Sequence, residues 1–161
     1  MSQDIAASPE TSLAAVMAQF DASQLAHQTL NTTAMAQNKE ALFAAMRAAG
    51  LTEIIVTFDG AGDSGQIEDI DARRGDAVVP MPDTAITLGQ VSWGISEIST
   101  SSMSLLEAVE TLAYDLLSAS HGGWENCDGA FGEFHFDAEA ATILLDYNER
   151  FTSSEQFNHS F

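Results

Sequence analysis

Residues 133–147 read EFHFDAEAATILLDY, and this stretch decides the fold. Polar and apolar side chains alternate in two runs, 133–137 and 142–147, with the two-residue period of β-strands. The four residues between the runs predict a hairpin loop. The pairing then sets Asp137 opposite Thr142, His135 opposite Leu144, and Glu133 opposite Asp146. In this register the apolar rows share one side, as a half-buried sheet requires; they are Phe134, Phe136, Ile143, Leu145 and Tyr147.

The polar side of this hairpin is a candidate site, because Glu133 lies opposite Asp146 with His135 beside them. Two carboxylates directly across a strand pair repel each other unless a cation lies between them. Arg150, a metal ion or a basic partner could supply that cation. Carboxylates and an imidazole can also bind a divalent metal and support metal-assisted hydrolysis. A solvated polar face, on which salt screens the repulsion, is the simpler interpretation and the one we favour.

A second stretch, FDGAGDSGQIED (residues 58–69), contains the GDSG tetrapeptide of trypsin-like serine proteases. A serine nucleophile needs a histidine base and an orienting acid. The only preceding histidine, His27, lies in a predicted helix, and the chain is too short for two β-barrels. Asp59 and Asp63 could hold a cation, but the spacing is not that of an EF-hand. We predict a turn between antiparallel strands, with glycines 60, 62 and 65 at positive φ.

Strand patterns continue on both sides of this turn, at 53–58, 66–71, 77–79 and 85–88. Ser104-Leu105-Leu106-Glu107 has the pattern of a capping box, and an apolar stripe follows it until His121-Gly122-Gly123. Strands interrupted by a single helix predict an α+β fold: a mostly antiparallel sheet with helices packed on one face.

The first fifty residues are rich in alanine and predict a helical segment that precedes this domain. Ser8-Pro9 predicts the start of a short helix over 9–20. Asp21 or Ser23 could cap a second helix, and a third runs from about 33 to 49, where Gly50 ends it. We therefore predict a helical segment at 1–35, a single α+β domain at 36–151 and a polar tail at 152–161.

Acidic residues dominate the chain, with 24 Asp and Glu against 5 Lys and Arg, for a net charge of −19. Residues 51–161 carry twenty of these acids. Such a field repels nucleic acid and anionic membranes and attracts cations or basic protein surfaces. We expect a basic protein partner and no direct binding to nucleic acid or membrane. Solubility or a salty habitat is the alternative explanation for the charge.

Few features of the sequence indicate the cellular compartment of the protein. Cys127 is the single cysteine, which rules out an internal disulfide and fits a reducing environment. The start of the sequence, MSQDIAASPE, lacks the basic and apolar regions of a secretory signal. No apolar run approaches the ~20 residues of a membrane span. These observations predict a cytoplasmic protein, with no cofactor expected and a divalent cation as the alternative.

Three motifs carry a resemblance to a known family: VTFDGAGDSGQIEDI (56–70), GGWENCDGAFGEFHFD (122–137) and ILLDYNERF (143–151). They resemble an uncharacterised family of small acidic bacterial proteins, a domain of unknown function that is common on plasmids, prophages and other mobile elements. The resemblance covers roughly residues 38–151. It implies an accessory gene of mobile DNA, and it assigns no catalytic residue.

Two functional hypotheses remain. In the first, the protein binds a basic, nucleic-acid-handling host protein, as an anti-restriction or anti-CRISPR inhibitor would, because carboxylates can stand in for phosphates. In the second, it is a metal-dependent hydrolase or cation-binding protein whose ligands are Asp59, Asp63, Glu133, His135 and Asp146. We favour binding. The residues that we predict to contact the partner are Asp59, Asp63, Glu68, Asp69, Asp71, Glu133, Asp137 and Asp146.

Overall fold

The structure of the protein, a computed structural model, describes residues 9–161, with side chains from residue 12. The elements, in chain order, are α1 (Pro9–Ala48), β1 (Glu53–Ala61), β2 (Ser64–Arg74), β3 (Ala77–Val79), β4 (Ala85–Gln90), β5 (Ser99–Ser104), α2 (Leu105–Ser120), β6 (Ala130–Asp137) and β7 (Thr142–Glu149). Five strands form an antiparallel sheet in the order β3-β2-β1-β6-β7, and β4 pairs with β5. The predicted α+β class is confirmed.

One helix replaces the three predicted before Gly50. α1 runs over 40 residues, so the predicted breaks near 21 and 33 are wrong. Ser23, one of the two predicted caps, instead donates to the carbonyl of Gln19, and Thr33, near the predicted start of the third helix, donates to the carbonyl of Thr29. No glycine or proline interrupts the run. Gly50, at a φ of 71°, follows the helix as predicted, whereas the proposed cap at Ser8 lies outside the described residues.

The chain forms two compact units. The first comprises the described residues up to Asn38 together with Thr87–Ser101. In this unit the Asn38 side-chain amide donates to the Gly89 carbonyl at 2.9 Å, and its oxygen accepts from the Gly89 N–H at 2.7 Å. Trp93 contacts the rings of Phe20 and His27, at centroid distances of 6.0 and 5.0 Å. The second unit, residues 39–86 and 102–161, contains the five-stranded sheet and α2.

The core of the second unit lies on one face of the sheet. The predicted capping box is confirmed: Ser104 accepts from the Glu107 N–H, and the Glu107 carboxylate accepts from the Ser104 N–H at 2.8 Å. The Tyr114 hydroxyl accepts from the Ile67 N–H, which ties α2 to β2. The side chains that fill this core are buried at alternate strand positions and on one stripe of α2: Ile54, Val56, Phe58, Phe134, Phe136, Leu105, Val109, Leu112 and Leu117.

The hairpin of β6 and β7 has the predicted register. Asp137 pairs with Thr142, His135 with Leu144, and Glu133 with Asp146. The predicted apolar side is also confirmed, although β7 is an edge strand and its apolar residues are only half-buried. Both strands extend beyond the predicted ends, since β6 begins at Ala130 and β7 ends at Glu149.

The FDGAGDSG stretch forms the predicted turn between β1 and β2, but with different glycine roles. The positive φ values belong to Gly62 (61°) and Asp63 (66°), as a two-residue turn of type I′ requires. Gly60 and Gly65 lie directly opposite each other in the two strands. The indole of Trp124 lies against them, and an added Cβ at Gly60 would lie 2.6 Å from that ring. These two glycines therefore serve close packing rather than the turn.

The loop between α2 and β6 locks this turn in place. The Gly62 N–H donates to the Cys127 carbonyl at 2.9 Å, and the Asp63 N–H donates to the Glu125 carbonyl at 3.1 Å. Gly129, near the end of the same loop, has a φ of 76°. It lies so close to the Gly60 carbonyl that an added Cβ would collide with the backbone there. The two glycine-rich motifs of the sequence thus form a single structural joint.

Replacing Gly129 with alanine tests this joint against a matched control. Gly75 also has a positive φ, 60°, but an added Cβ there would meet nothing within 4 Å. We expect Gly75→Ala to cost about 1 kcal/mol, the cost of the left-handed conformation alone. Gly129→Ala should cost about 3 kcal/mol or more, because backbone must also move. Urea unfolding of both variants measures the difference, and equal losses would contradict the close approach.

Candidate functional site: the open acidic face of the sheet

Among the described residues of the second unit, no helix packs on one face of the sheet, and the side chains on this face are the polar half of the strand alternation. Along β1, Ile54, Val56 and Phe58 are buried, while the residues between them are half-exposed. β6 repeats the pattern, with Glu133 exposed between buried neighbours. Because directly paired residues share a face, the register of the neighbouring strands extends this surface over β2, β1, β6 and β7. We call it the open acidic face.

The register arranges this face in rows that cross four strands. One row runs from Asp69 in β2 through Thr57 to Glu133 and Asp146. The next rows contain Asp71, Ile55, His135 and Leu144, then Arg73, Glu53, Asp137 and Thr142. A fourth contains Gln66, Asp59, Phe131 and Asn148. The acidic residues on the face are therefore Glu53, Asp59, Asp69, Asp71, Glu133, Asp137 and Asp146.

His135 lies between two of these carboxylates. Its Nδ1 is 2.9 Å from Glu53 Oε1, and its Nε2 is 3.4 Å from Glu133 Oε2. A neutral imidazole has one N–H and can donate to only one of these groups, whereas the imidazolium can donate to both. Arg150, one of the cations considered for the space between Glu133 and Asp146, does not lie there, because its guanidinium contacts Asp59. The group that approaches the Glu133 carboxylate is the His135 ring.

Arg150 instead holds Asp59. Its guanidinium contacts both carboxylate oxygens, at 2.7 and 3.1 Å, and also donates to the Gly60 carbonyl at 3.1 Å. The same group lies 4.6 Å from the centre of the Phe131 ring. This hydrogen bond, aided by the charge of the arginine and opposed by burial, holds the pKa of Asp59 below its ordinary value of 3.8. Asp59 therefore serves a structural ion pair that anchors the end of β7.

The remaining residues predicted to contact the partner lie partly on the open acidic face and partly elsewhere. Asp63 lies at the tip of the β1–β2 turn, away from the rows, and Glu68 is the extra residue where the pairing of β1 and β2 shifts. The Asp137 carboxylate caps the β6–β7 turn, since it accepts from the N–H groups of Glu139 and Ala140. Two other carboxylates of the face make only local hydrogen bonds: Asp69 accepts from the Ile70 N–H at 3.0 Å, and Asp146 accepts from the Asn148 side-chain amide at 3.4 Å.

The sequence did not identify Glu53 as part of the site. Its position at the start of a strand was visible, and so was its place on the same side as Thr57. However, its contact with His135 depends on the pairing of β1 with β6, which joins segments 82 residues apart.

Cation binding and serine chemistry receive less support. Within the part of the chain that the structure describes, no three His, Cys, Asp or Glu side chains cluster closely enough to hold a metal ion. The five predicted metal ligands are not brought together, because Asp59 pairs with Arg150 and Asp63 lies at the turn. Ser64 pairs across the turn with Ala61 rather than with a histidine.

Fold and face together define a small α+β protein with an uncovered, carboxylate-rich sheet surface. Its residues 34–161 match the model of a family described as "Family of unknown function (DUF6878)", and the chain belongs to this family. Neither the curated proteins nor the solved structures include a match. Among the described residues, neither helix has the length and apolarity that crossing a membrane demands.

The Asp59–Arg150 pair predicts a pH-dependent loss of stability. A carboxylate with a lowered pKa stabilises the fold fully above its unfolded-state value, and this contribution disappears as the pH falls through the folded value. Arg150→Gln should therefore be destabilised relative to wild type at about pH 5–7. The difference should shrink below the ordinary value of 3.8.

Urea unfolding across this range measures the effect, and carbon-13 NMR of the carboxylate reports the Asp59 pKa directly. Arg150→Lys is the control, because it keeps the charge but loses the two-point contact. An unchanged Asp59 pKa in Arg150→Gln would contradict the assignment.

Proposed function

We propose that this protein acts by binding, and that its open acidic face engages a basic protein partner. The observation that carries the proposal is the row from Asp69 to Asp146, in which Glu133 and Asp146 are directly paired and Asp69 lies two strands away, across Thr57. A protein gains nothing in stability from like charges at such spacing. A basic surface that covers the face would relieve this repulsion.

The dimensions of the face match those of a protein surface that binds the phosphates of a nucleic acid. Neighbouring strands are about 4.8 Å apart and alternate residues about 6.8 Å apart, so four strands present charges over about 14 by 20 Å. The face carries seven carboxylates and two arginines: Arg73, which lies in a row of the face, and Arg150, which pairs with Asp59. Its net charge is therefore −5 when His135 is neutral. A nucleic-acid-binding protein has cationic side chains arranged to contact the phosphates along a nucleic-acid strand. A fixed array of carboxylates can pair with these side chains in place of the phosphates.

The wider charge of the chain supports the same partner class. Twenty of the 24 acidic residues and all five basic residues belong to the second unit, which carries the face. A field of this sign accelerates encounter with a basic protein and repels competing nucleic acid. We propose a nucleic-acid-handling host protein as the target. The resemblance to a family of mobile-element proteins favours a counter-defence inhibitor, of the anti-restriction or anti-CRISPR kind.

Charge reversal on and off the face tests the proposal at constant net charge. The face variant carries Asp69→Lys, Glu133→Lys and Asp146→Lys, and the control carries Asp83→Lys, Glu110→Lys and Glu155→Lys; all six residues are exposed. Each protein serves as bait for affinity capture from a bacterial lysate at low salt. We expect basic, nucleic-acid-binding proteins with wild type and control, and a loss of at least tenfold with the face variant, mainly through slower association.

The captured protein should then release a labelled DNA or RNA duplex when wild type is added, and binding should weaken as salt rises. Retention of the same partners by the face variant, or their loss only with the control variant, would refute the assignment of the face. Direct binding of wild type to the duplex would refute the proposed mimicry.

A further inference from the structure

The first unit presents a second surface of opposite character. Leu13, Val16, Met17 and Phe20 follow one another at helical spacing, so they form one stripe along α1. Their exposed fractions lie between 56% and 62%, high for large apolar side chains. Trp93 and Ile95, at 55% and 56%, extend the stripe beyond Phe20. We call these six residues the apolar stripe. Four of them, Val16, Phe20, Trp93 and Ile95, line a groove of about 890 Å³.

The chain itself covers the continuation of this stripe. Farther along α1 the same line of residues reaches Ala34 and Asn38, which are buried, and Asn38 is bonded on both sides to Gly89. Between these ends, His27 lies against Trp93. The part of the stripe from Leu13 to Phe20 stays exposed among the described residues, although Phe20 contacts the Trp93 ring. A surface of this kind is unusual on a monomer and marks an interaction site.

Charge identifies the occupant. The first unit carries four acidic side chains (Asp4, Glu10, Asp21 and Glu97) and no Lys or Arg, a net charge of −4, against −15 for the second unit. Two copies of a chain with a net charge of −19 repel each other wherever their second units approach. The apolar stripe is the described surface at which two copies can meet with little repulsion, whereas a basic partner is drawn to the acidic sheet. We propose that a second copy of this chain covers the stripe.

The geometry suits a two-fold pair of antiparallel helices. With a rise of 1.5 Å per residue, Leu13 and Phe20 are about 10 Å apart along the axis, so a two-fold axis midway between them sets Leu13 of one copy against Phe20 of the other. Six apolar side chains at roughly 100 Å² each offer about 600 Å² per copy. A standard interface buries about 800 Å² per partner, and the flanking alanine and glutamine side chains supply the remainder.

The first test is sedimentation equilibrium of the full chain with two matched leucine variants. Leu13→Gln removes a side chain of the stripe that is 62% exposed, and Leu144→Gln removes one of 64% exposure on the open acidic face. We expect wild type and Leu144→Gln to dimerise alike, and Leu13→Gln to dissociate at a concentration at least tenfold higher. Circular dichroism confirms that both variants remain folded.

The dependence of dimerisation on salt concentration is a second, independent test. Screening of the charges between copies should tighten the dimer between about 0.1 and 0.5 M salt, the opposite of the response expected for the basic partner. Trp93 is exposed and Trp124 is buried, so acrylamide quenching reports Trp93, and its quenching should fall as the concentration of protein rises.

A wild type that stays monomeric in 0.5 M salt at about 100 µM would overturn the proposal. A dimer that Leu144→Gln disrupts and Leu13→Gln does not would overturn it as well, since the sheet face would then be the contact. So would a different protein bound at the stripe of a monomeric chain. Because the stripe lies outside the open acidic face, the dimer proposed at the stripe can fail while the proposed function stands.

Discussion

The pairing of β1 with both β2 and β6 is the constraint on which the rest of the second unit depends. β1 is the central strand, and its strict alternation commits one side to the core and the other to solvent. Each neighbouring strand must place its apolar side chains on the same face, because a shift of one residue in the pairing register would bury carboxylates and expose phenylalanines. The fold and the charged surface are therefore consequences of one register. Trp124 and Gly129 secure the end of that register against the turn at Gly62.

The sequence predicted those parts of the structure in which the relevant residues are close along the chain. The β6–β7 register and the capping box at Ser104 are local patterns, and both are confirmed. Strand β5, residues 99–104, was missed because STSSMS has no apolar alternation. The breaks in α1 were wrong because serine and threonine can bond back within a helix. At the site, the Glu53–His135 contact was beyond prediction because it rests on the distant pairing of β1 with β6. The domain boundaries predicted at residues 35 and 151 stay a prediction.

The two surfaces of the molecule differ in charge and polarity, and the interactions proposed for them differ accordingly. The open acidic face carries dense like charge that a basic partner would neutralise, and its binding should fade with salt. The apolar stripe lies in the less charged unit, and its binding should strengthen with salt because self-repulsion is screened. The family match begins at residue 34, so the part of the stripe on α1 lies outside the segment that defines the family.

Carboxyl footprinting of the protein with its captured partner tests the central claim most directly. Carbodiimide coupling modifies accessible carboxylates, and mass spectrometry reports each site separately. We predict that the partner protects Asp69, Asp71 and Asp146 at low salt, and that protection disappears as salt rises. Glu110 on α2 and Glu155 in the tail should stay equally reactive in both states. Unchanged labelling of the three face residues, with protection at Glu110 or Glu155 instead, would contradict the assignment of the open acidic face as the binding site.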